Sequence, residues 1–549
     1  MTADYTERYP GLYATPELVG RENILRQCKR VLEDSAPNPK LVFLHGLGGI
    51  GKTRLLRKIL EIARTLPNHR AAEDVLDFYD ILLHTPVELV NAIFETLTPP
   101  FDCFQIYQPA AQTLTRARLS GNAVELEKLR QDALAKFEQD LMLLSKNKRV
   151  ILALDTTERL VYGIPGWTDE IPLADSWIWL IDCLPTWQNV VIFVAGREEA
   201  LPAIEKVKVG HPQLIEEIEV GPFEVEESIE YFDKVAQLAK ENKDYHLAER
   251  LENMPEDFKR GAHAYSQGRP ILLSLLVDYL GFPGEGDLPE MLRQAPLEKP
   301  SEEETRRYEA ALFERLRDGE LGETLIALGR VPKGADEKLL AALLGVSIPE
   351  IRKRLQEVQR LSVVKIRRKD NEQRFFLHDE VYALLQRHVY DGAFDAEKQT
   401  PAFEVIKKYY QEQSENSIQR LNMLYAPVEE YGRTDLDLKE LGKAHADHQA
   451  LLTETMYYYI RQDLGRGFRA YSRYAQESIL SRDVLMDLQL QAELLAFLSA
   501  PPAPILEKGI SIEMILASLK IRPFARAWAL GKYPEFENAE KFIGSVESD

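Results

Sequence analysis

Short apolar runs alternate with segments of helical spacing through the first 222 residues. Such runs are typical of strands buried on both faces of a parallel sheet, and the segments between them are typical of amphipathic helices. The alternation predicts an α/β domain with a mostly parallel sheet. The predicted strands are 41–44, 81–83, 150–154, 190–194 and 214–220, and the predicted helices are 21–34, 54–64, 87–97, 123–145, 202–207 and 225–239.

Strand patterns nearly vanish after residue 222. Residues 338–344 and 348–361 have the spacing of a helix–turn–helix, and Pro349 stands in the first turn of the second helix, where proline is tolerated. Two short strands at 362–366 and 374–377 follow, around a turn at 369–372. A helix–turn–helix followed by a hairpin predicts a winged helix.

The glycine-rich segment Gly46-Leu47-Gly48-Gly49-Ile50-Gly51-Lys52-Thr53 follows the first predicted strand and precedes a helix. This is the pattern and the context of a phosphate loop, whose backbone N–H groups surround phosphates while the lysine reaches the β- and γ-phosphates. The Thr53 hydroxyl is the predicted Mg²⁺ ligand. The alternative, a glycine-rich turn without function, does not explain the full pattern. The predicted contacts to ATP or ADP in this segment and directly after it are Gly46, Gly48, Gly49, Ile50, Gly51, Lys52, Thr53 and Arg54.

Three further polar residues follow predicted strands. Asp155 comes directly after 150–154 and is the predicted second Mg²⁺ ligand; its alternative role is a helix N-cap. Glu158 is a candidate to orient the attacking water, unless it only begins a helix. Arg197 follows 190–194 at the sheet edge where ligands bind, and it is a candidate to read the γ-phosphate; the alternative is a solvated surface arginine.

The 549 residues are too many for one core and suggest several domains. The fold class predicted is a multidomain chain: an α/β P-loop NTPase with a parallel sheet, then a small helical domain, a winged helix and an all-α C-terminal region. The predicted divisions are an N-terminal arm at 1–18, the nucleotide-binding domain at 19–222, the helical domain at 223–295, the winged helix at 296–395 and a C-terminal helical region at 396–549.

Composition excludes several classes of protein. The hydrophobic fraction of 45% is ordinary for a globular chain, and no run approaches the ~18 apolar residues of a membrane span. No secretory signal opens the sequence, and three separated cysteines fit neither a disulfide framework nor a metal site. These features predict a cytoplasmic protein. The net charge of −20 argues against general affinity for nucleic acid.

Six short motifs, in order, resemble the STAND class of P-loop NTPases, and Leu377-His378-Asp379 resembles the MHD motif of its NB-ARC branch. That branch includes plant immune receptors and the animal apoptosome scaffold. The motifs cover residues 19–379. The other five are Val19-Gly20-Arg21-Glu22, the phosphate loop, Asp155, Gly196-Arg197 and Gly268-Arg269-Pro270, the last being similar to the family's GxP motif.

The resemblance implies roles for several residues. Val19 and Arg21 would lie at the adenine and ribose, and Pro270 would pack on the base. Arg197 would be the first sensor of the terminal phosphate.

The resemblance also implies that His378 touches the β-phosphate of ADP and fastens the winged helix over the nucleotide, with Asp379 holding that contact. The sequence departs from NB-ARC proteins where paired acids usually stand, because Thr156 follows Asp155 and the next acid is Glu158. That arrangement is closer to the NACHT branch and implies slow, switch-like hydrolysis.

The winged helix has two interpretations. Basic residues on its second helix and wing are typical of DNA recognition. Acidic residues interleave with them, which favours a regulatory lid, the usual role in STAND proteins. The basic residues are Arg352, Lys353, Arg354, Lys365, Arg367, Arg368 and Lys369, and the acidic ones are Glu350, Glu357, Asp370 and Glu372.

The C-terminal region is rich in aromatic residues at helical spacing, without a convincing repeat. Such residues indicate a helical core, and they are also favoured at protein interfaces, so a partner surface remains open. They include Tyr409, Tyr410, Tyr457, Tyr458, Tyr459, Phe468, Tyr471 and Tyr474.

The expected function is a signal-transduction switch that is closed and monomeric with ADP. A ligand or partner sensed by the C-terminal helices would open it, and ATP would then promote self-association. Output would pass to a protein partner or effector in trans or beyond the C-terminus, in a defence or regulatory pathway. The alternatives are a transcription regulator that binds DNA through its winged helix, and an ATPase that remodels a substrate.

Overall fold

The computed structural model describes residues 18–34, 36–97, 103–120, 123–163, 172–281, 300–316, 319–369, 372–389, 396–431, 435–481, 483–499 and 511–529. The chain divides into two compact units by its internal contacts. Unit 1 comprises the described residues within 1–34, 44–61 and 217–406, and unit 2 comprises those within 35–43, 62–216 and 407–549. The predicted N-terminal arm lies almost wholly outside the described residues.

Six strands form one sheet in the order β2-β4-β5-β1-β6, and β3 also pairs with β4. β4 runs parallel to β2, β3 and β5, with Val150 opposite Val190. Every residue of β4 and β5 is buried, as continuous apolar strands in a covered parallel sheet should be. The predicted α/β fold class is confirmed. The strands are β1 (Lys40–His45), β2 (His69–Ala71), β3 (Leu76–Asp77), β4 (Arg149–Asp155), β5 (Val190–Gly196) and β6 (Ile215–Glu219).

The predicted strand at 81–83 is wrong: Ile81–His84 forms a 3₁₀ helix. The Asp80 carboxylate caps it by accepting the Leu82 N–H at 3.0 Å, and a helix begins at Pro86. A short apolar run fits a strand and a helical turn equally, so the flanking polar residue decides. β2 and β3 escaped prediction because they are only three and two residues long.

The helices predicted around the sheet are confirmed with small shifts of their ends, and two more are found, α4 and α6. α4 begins where the Asp140 carboxylate accepts the N–H groups of Ile106 and Tyr107 at 2.9 and 2.7 Å. The helices are α1 (Glu22–Glu33), α2 (Lys52–Thr65), α3 (Pro86–Leu97), α4 (Tyr107–Ser120), α5 (Ala123–Asn147), α6 (Asp175–Cys183) and α7 (Leu201–Gly210).

Unit 1 continues with four helices and then the winged helix. The hairpin is antiparallel with Val364 opposite Leu377, and an isolated antiparallel bridge pairs Ala335 with Phe375. The centre of the predicted turn, 370–371, lies outside the described residues. The elements are α8 (Val225–Glu241), α9 (Tyr245–Glu252), α10 (Glu256–Ser266), α11 (Pro270–Gly281), α12 (Glu302–Leu316), α13 (Gly319–Gly329), α14 (Glu337–Leu344), α15 (Ile348–Val358), β7 (Val364–Lys369), β8 (Glu372–Leu377) and α16 (Asp379–His388).

The rest of the described chain is helical, as predicted. In unit 2, α20 packs against the 3₁₀ helix Ile81–His84 and α18 packs against α4. Tyr410, Tyr458 and Tyr471 are buried, which confirms the core interpretation for these aromatics. None of the described helices is both long enough and apolar enough to cross a bilayer. The helices are α17 (Ala396–Tyr431), α18 (Asp435–Gln462), α19 (Leu464–Leu480), α20 (Val484–Leu498) and α21 (Ile512–Ala529).

Candidate nucleotide-binding site

The phosphate loop joins the end of β1 to the first turn of α2. The Lys52 ammonium is buried and donates to the carbonyl oxygens of Gly46 and Leu47 at 2.7 and 2.8 Å. Within the described residues, the N–H groups of 47–51 have no intramolecular acceptor. A row of free N–H groups at a helix N-terminus, beside a lysine, fits the phosphates of a nucleotide.

Arg21 supports this loop from the segment before α1. Its Nη2 donates to the Ile50 carbonyl at 3.1 Å, and its guanidinium lies 4.9 Å from the centre of the Phe223 ring. Burial lowers the pKa of the Arg21 guanidinium. Val19 is buried as well. The predicted adenine and ribose contacts of Val19 and Arg21 stay predictions, while the structure gives Arg21 a role in shaping the loop.

Helix α11 contacts the same loop through its first turn. Gly268 has φ +67°, and a Cβ there would lie 2.3 Å from the Phe223 carbonyl oxygen, so the position requires glycine. Pro270 opens the helix. The Ile271 N–H donates to the Gly49 carbonyl at 3.3 Å, and Arg269 Nη2 donates to the Gly48 carbonyl at 3.3 Å. The motif around Pro270 therefore touches the phosphate loop through the residues on either side of the proline.

The winged helix reaches this place through the first turn of α16. The Glu380 carboxylate is ion-paired with Arg269, and the two side chains are only 12% and 15% exposed. His378 is the N-cap of α16, its Nδ1 accepting the Glu380 N–H at 3.4 Å. Asp379 lies 3.9 Å from the Lys365 ammonium. The contact of His378 with a phosphate stays a prediction; the observed link to the loop runs through Glu380.

Thr53 and Arg54 lie in the first turn of α2 and are both partly buried. Burial lowers the pKa of Arg54. Their predicted roles, Mg²⁺ ligation by Thr53 and nucleotide contact by Arg54, stay predictions.

In unit 2, Asp155 ends β4 and is buried. Its carboxylate accepts the N–H of Thr156, a left-handed residue at φ +59°. Thr156, rather than Asp155, is the N-cap of the 3₁₀ helix Thr157–Leu160, so the alternative role of Asp155 as its N-cap is wrong. The Thr156 hydroxyl donates at 2.6 Å to Asp77, which stands opposite Asp155 in the sheet. Two carboxylates therefore share this sheet edge.

Glu158 and Arg197 are brought together. The Glu158 carboxylate accepts the Arg197 N–H at 3.1 Å and lies 3.3 Å from Arg197 Nε. The Thr157 hydroxyl donates to the Ala195 carbonyl at 2.7 Å and fixes the 3₁₀ helix to the end of β5. Arg197 and Glu158 are therefore ion-paired with each other, and Arg197 is not simply a solvated surface arginine.

Sequence reasoning missed Asp77, Arg269 and Glu380. Asp77 ends a two-residue strand that has no hydrophobic pattern. Arg269 lies inside the motif that ends at Pro270, and Glu380 directly follows the motif that ends at Asp379. These opposite charges, one at each motif, were the available signal. Their pairing was not predictable, because 111 positions separate them in the chain.

Comparison with known families identifies one domain. Residues 17–174 match the family model described as "AAA ATPase domain". The match includes the phosphate loop and Asp155, and it ends before Arg197 and α11. No curated protein matches the chain.

Several solved structures align over a longer stretch of the chain. Cdc6p from Pyrobaculum aerophilum has 12% identity and a TM-score of 0.33, over 69% of this chain and 98% of its own. The Aeropyrum pernix ORC2 protein, in ADPNP–ADP complexes, has 14% identity and a TM-score of 0.33, over 70% and 98%. The Aeropyrum pernix ORC1 protein, in complex with DNA, has 16% identity and a TM-score of 0.30, over 70% and 99%.

These overall similarities are too low to transfer a function, and the finer STAND and NB-ARC assignment stays a prediction. The family match and the phosphate loop agree on the coarser assignment. Residues 17–174 form an AAA ATPase domain of the P-loop NTPase type, which binds a nucleotide.

Proposed function

We propose that this protein is an ATP/ADP-dependent switch in which the winged helix closes over the phosphate loop. The observation that supports it is the Arg269–Glu380 ion pair. Through it, the phosphate loop, the first turn of α11 and the first turn of α16 meet within unit 1. A nucleotide that enters the loop therefore arrives beside a contact that holds two other segments in place.

The charges at this contact give ATP and ADP different effects. Glu380 is an anion held beside the loop by Arg269, and a terminal phosphate is a second anion that attracts Arg269 and repels Glu380. ADP lacks that phosphate and leaves the pair intact. This differential interaction is what a switch requires, because a ligand with equal affinity for both states shifts nothing.

In this proposal the sequence-based roles are kept. Thr53 and Asp155 would hold Mg²⁺, which when bound neutralises phosphate charge. Lys52 binds phosphate and leaves its carbonyl partners in the loop. Arg197 must leave Glu158 before it reads a terminal phosphate, and Glu158 is a poor candidate base while it is paired. Slow hydrolysis is therefore expected.

The open form is proposed to self-associate and to act on a protein partner or effector, in a defence or regulatory pathway. The winged helix acts as a lid in this scheme. Two of its basic residues already have acidic partners, which favours the lid over DNA binding: Arg352 is ion-paired with Glu337, and Arg354 with Glu320, Glu323 and Glu350.

The test measures the nucleotide retained through purification and the mass distribution of the protein with ADP and with ATP. The proposal expects a monomer with ADP, a larger species with ATP, and loss of both retention and assembly in Lys52→Ala. A protein that retains no nucleotide, or a Lys52→Ala variant that behaves like the wild type, contradicts it.

The latch is tested separately with Glu380→Gln. Removing the charge should loosen the closed form and lower the ATP concentration for assembly by roughly fivefold, the effect of about 1 kcal/mol. Glu337→Gln is the matched control, because it removes a carboxylate of the same domain that pairs with Arg352. An equal shift in both variants would assign no special role to Glu380.

A further inference from the structure

Three exposed arginines form a stripe along α19 in unit 2. Arg466, Arg469 and Arg473 follow one another at intervals of three and four residues, which places them on one face of the helix. With a rise of about 1.5 Å per residue, this arginine stripe is about 10 Å long. The whole chain has a net charge of −20, so a row of three cations is a local exception to the overall charge.

The contacts that these arginines make leave their charges accessible. Arg466 Nε lies 3.4 Å from a carboxylate oxygen of Asp463, yet the Arg466 side chain is 71% exposed. The Arg473 guanidinium lies over the Tyr474 ring, 4.7 Å from its centre. An exposed row of arginines is suited to a partner that carries negative charge.

Helix α8 in unit 1 carries a stripe of the opposite sign. Glu226, Glu230 and Asp233 are exposed and follow one another at intervals of four and three residues, again on one face. Glu230 is ion-paired with Lys234 at 2.9 Å and Asp233 with Lys259 at 2.5 Å, but the two acidic side chains remain 46% and 60% exposed. This acidic stripe is also about 10 Å long, so it matches the arginine stripe in length and in number of charges.

The two stripes also match in the order of their spacings. Along the chain, the arginines are separated by three and then four residues, and the carboxylates by four and then three. Two helices that meet in antiparallel orientation therefore bring each arginine opposite one carboxylate. The expected pairs are Arg466 with Asp233, Arg469 with Glu230, and Arg473 with Glu226.

We propose that the arginine stripe of one copy of this chain binds the acidic stripe of a second copy. This inference rests on the proposed function, because it names the surfaces that join copies of the open form. A copy that binds through one stripe still presents the other, so the contact repeats from head to tail. Exposed ion pairs are individually weak, so this contact orients neighbouring copies and adds to assembly without driving it alone. The net negative charge disfavours nucleic acid as the partner.

Two charge reversals test the contact in the full chain, through the mass distribution with ATP at low ionic strength. Arg469→Glu and Glu230→Arg each place like charges opposite one another, and each should raise the protein concentration at half-assembly by roughly tenfold. An equimolar mixture of the two variants should assemble near the wild-type concentration. In the mixture the introduced glutamate of one variant faces the introduced arginine of the other, and the two native stripes face each other at the next contact.

Matched controls make the same charge changes at exposed positions outside the stripes. They are Arg420→Glu on α17 and Glu249→Arg on α9, and both should assemble as the wild type does. All four variants should retain nucleotide through purification as the wild type does, which separates a lost contact from lost folding. Raising the ionic strength should weaken assembly of the wild type more than that of Arg469→Glu, because salt screens exposed ion pairs.

Three outcomes would overturn the inference. Wild-type assembly that neither reversal weakens, or a mixture that assembles no better than its components, overturns it and leaves the proposed function intact. A wild type that stays monomeric with ATP overturns both. Duplex DNA binding that Arg469→Glu abolishes, with assembly unchanged, would make the arginine stripe a nucleic-acid site instead.

Discussion

Asp278 in unit 1 and Asp487 in unit 2 are both buried carboxylates, yet different groups stabilise them. Asp278 lies on α11 and accepts hydrogen bonds from the Ser362 N–H and hydroxyl, just before the wing. Asp487 lies on α20 and is ion-paired with Arg522 and Arg526 of α21. The first carboxylate has neutral partners and the second has two permanent cations.

The difference separates an adjustable contact from a fixed one. In the described part of the chain no lysine or arginine pairs with Asp278, and burial raises its pKa to about 7 although the Ser362 and Val363 donors oppose this. The contact between α11 and the winged helix therefore changes its charge near neutral pH. The Asp487 network joins α20 to α21 with charges that persist, so these two helices form a rigid frame.

The largest effect is expected from Asp487→Ala, which leaves two buried arginines without their carboxylate. Removing one partner of a buried ion pair destabilises by about 3–5 kcal/mol. Hydrogen exchange at the amides of α20 and α21 should show this loss as local opening. The control is Asp182→Ala, an exposed aspartate of the same unit. Equal exchange protection of α20 and α21 in the two variants would mean that Asp487 does not hold these helices together.

The second prediction concerns the pH dependence of Asp278. Its pKa is raised from 3.8 to about 7 in the folded state, so the folded protein binds the proton more tightly than the unfolded chain. This favours the folded state below pH 3.8, and the benefit is lost as the pH rises toward about 7.

Asp278→Asn should therefore gain stability relative to the wild type by about 2 kcal/mol between pH 5 and pH 7. Exchange protection of α11 and the Ser362 segment, measured in both proteins across this range, gives the difference directly. A difference between the two proteins that does not vary with pH would show that Asp278 is ionised throughout.

A smaller effect is expected where α11 touches the phosphate loop. Gly49 has φ +70°, and a Cβ there would lie 2.3 Å from Ile271 Cγ2; Gly51 has φ +96° with no atom near such a Cβ. Both alanine variants strain the backbone by about 1–3 kcal/mol. Only Gly49→Ala should also loosen the first turn of α11, seen as faster exchange there. Equal exchange in the two variants would argue against a close contact at Ile271.

The smallest effect is expected on the outer face of the winged helix. Arg352 is ion-paired with Glu337 at 2.7 Å and both side chains are exposed, so this pair contributes little. Arg352→Glu should leave retention of duplex DNA in a mobility-shift assay unchanged, since no binding is expected. Salt-dependent DNA binding by the wild type that Arg352→Glu abolishes would favour the DNA-binding alternative. It would also mean that a ligand can change the contacts of this face, as pH changes those of Asp278.

Local patterns were enough to predict the elements of the candidate nucleotide site. The phosphate loop, the strand before it and the helix after it are adjacent in the chain, so spacing alone fixes Lys52 at the start of α2. Asp155 and Arg197 were found because each follows a continuous apolar strand. The errors in the predicted secondary structure lie where a segment is too short to show a hydrophobic period, as at 81–84 and in β2 and β3.

The sequence by itself determined the glycine loop, the parallel α/β sheet, the winged helix and the helical C-terminal region, because each depends on residues a few positions apart. Only the tertiary structure decided which charges meet. Glu158 pairs with Arg197, Glu380 with Arg269, and Asp487 with Arg522. Their spacing in the chain carries no signal, since the fold brings them together by packing apolar faces elsewhere, and the ion pairs form among whatever polar groups that packing leaves adjacent.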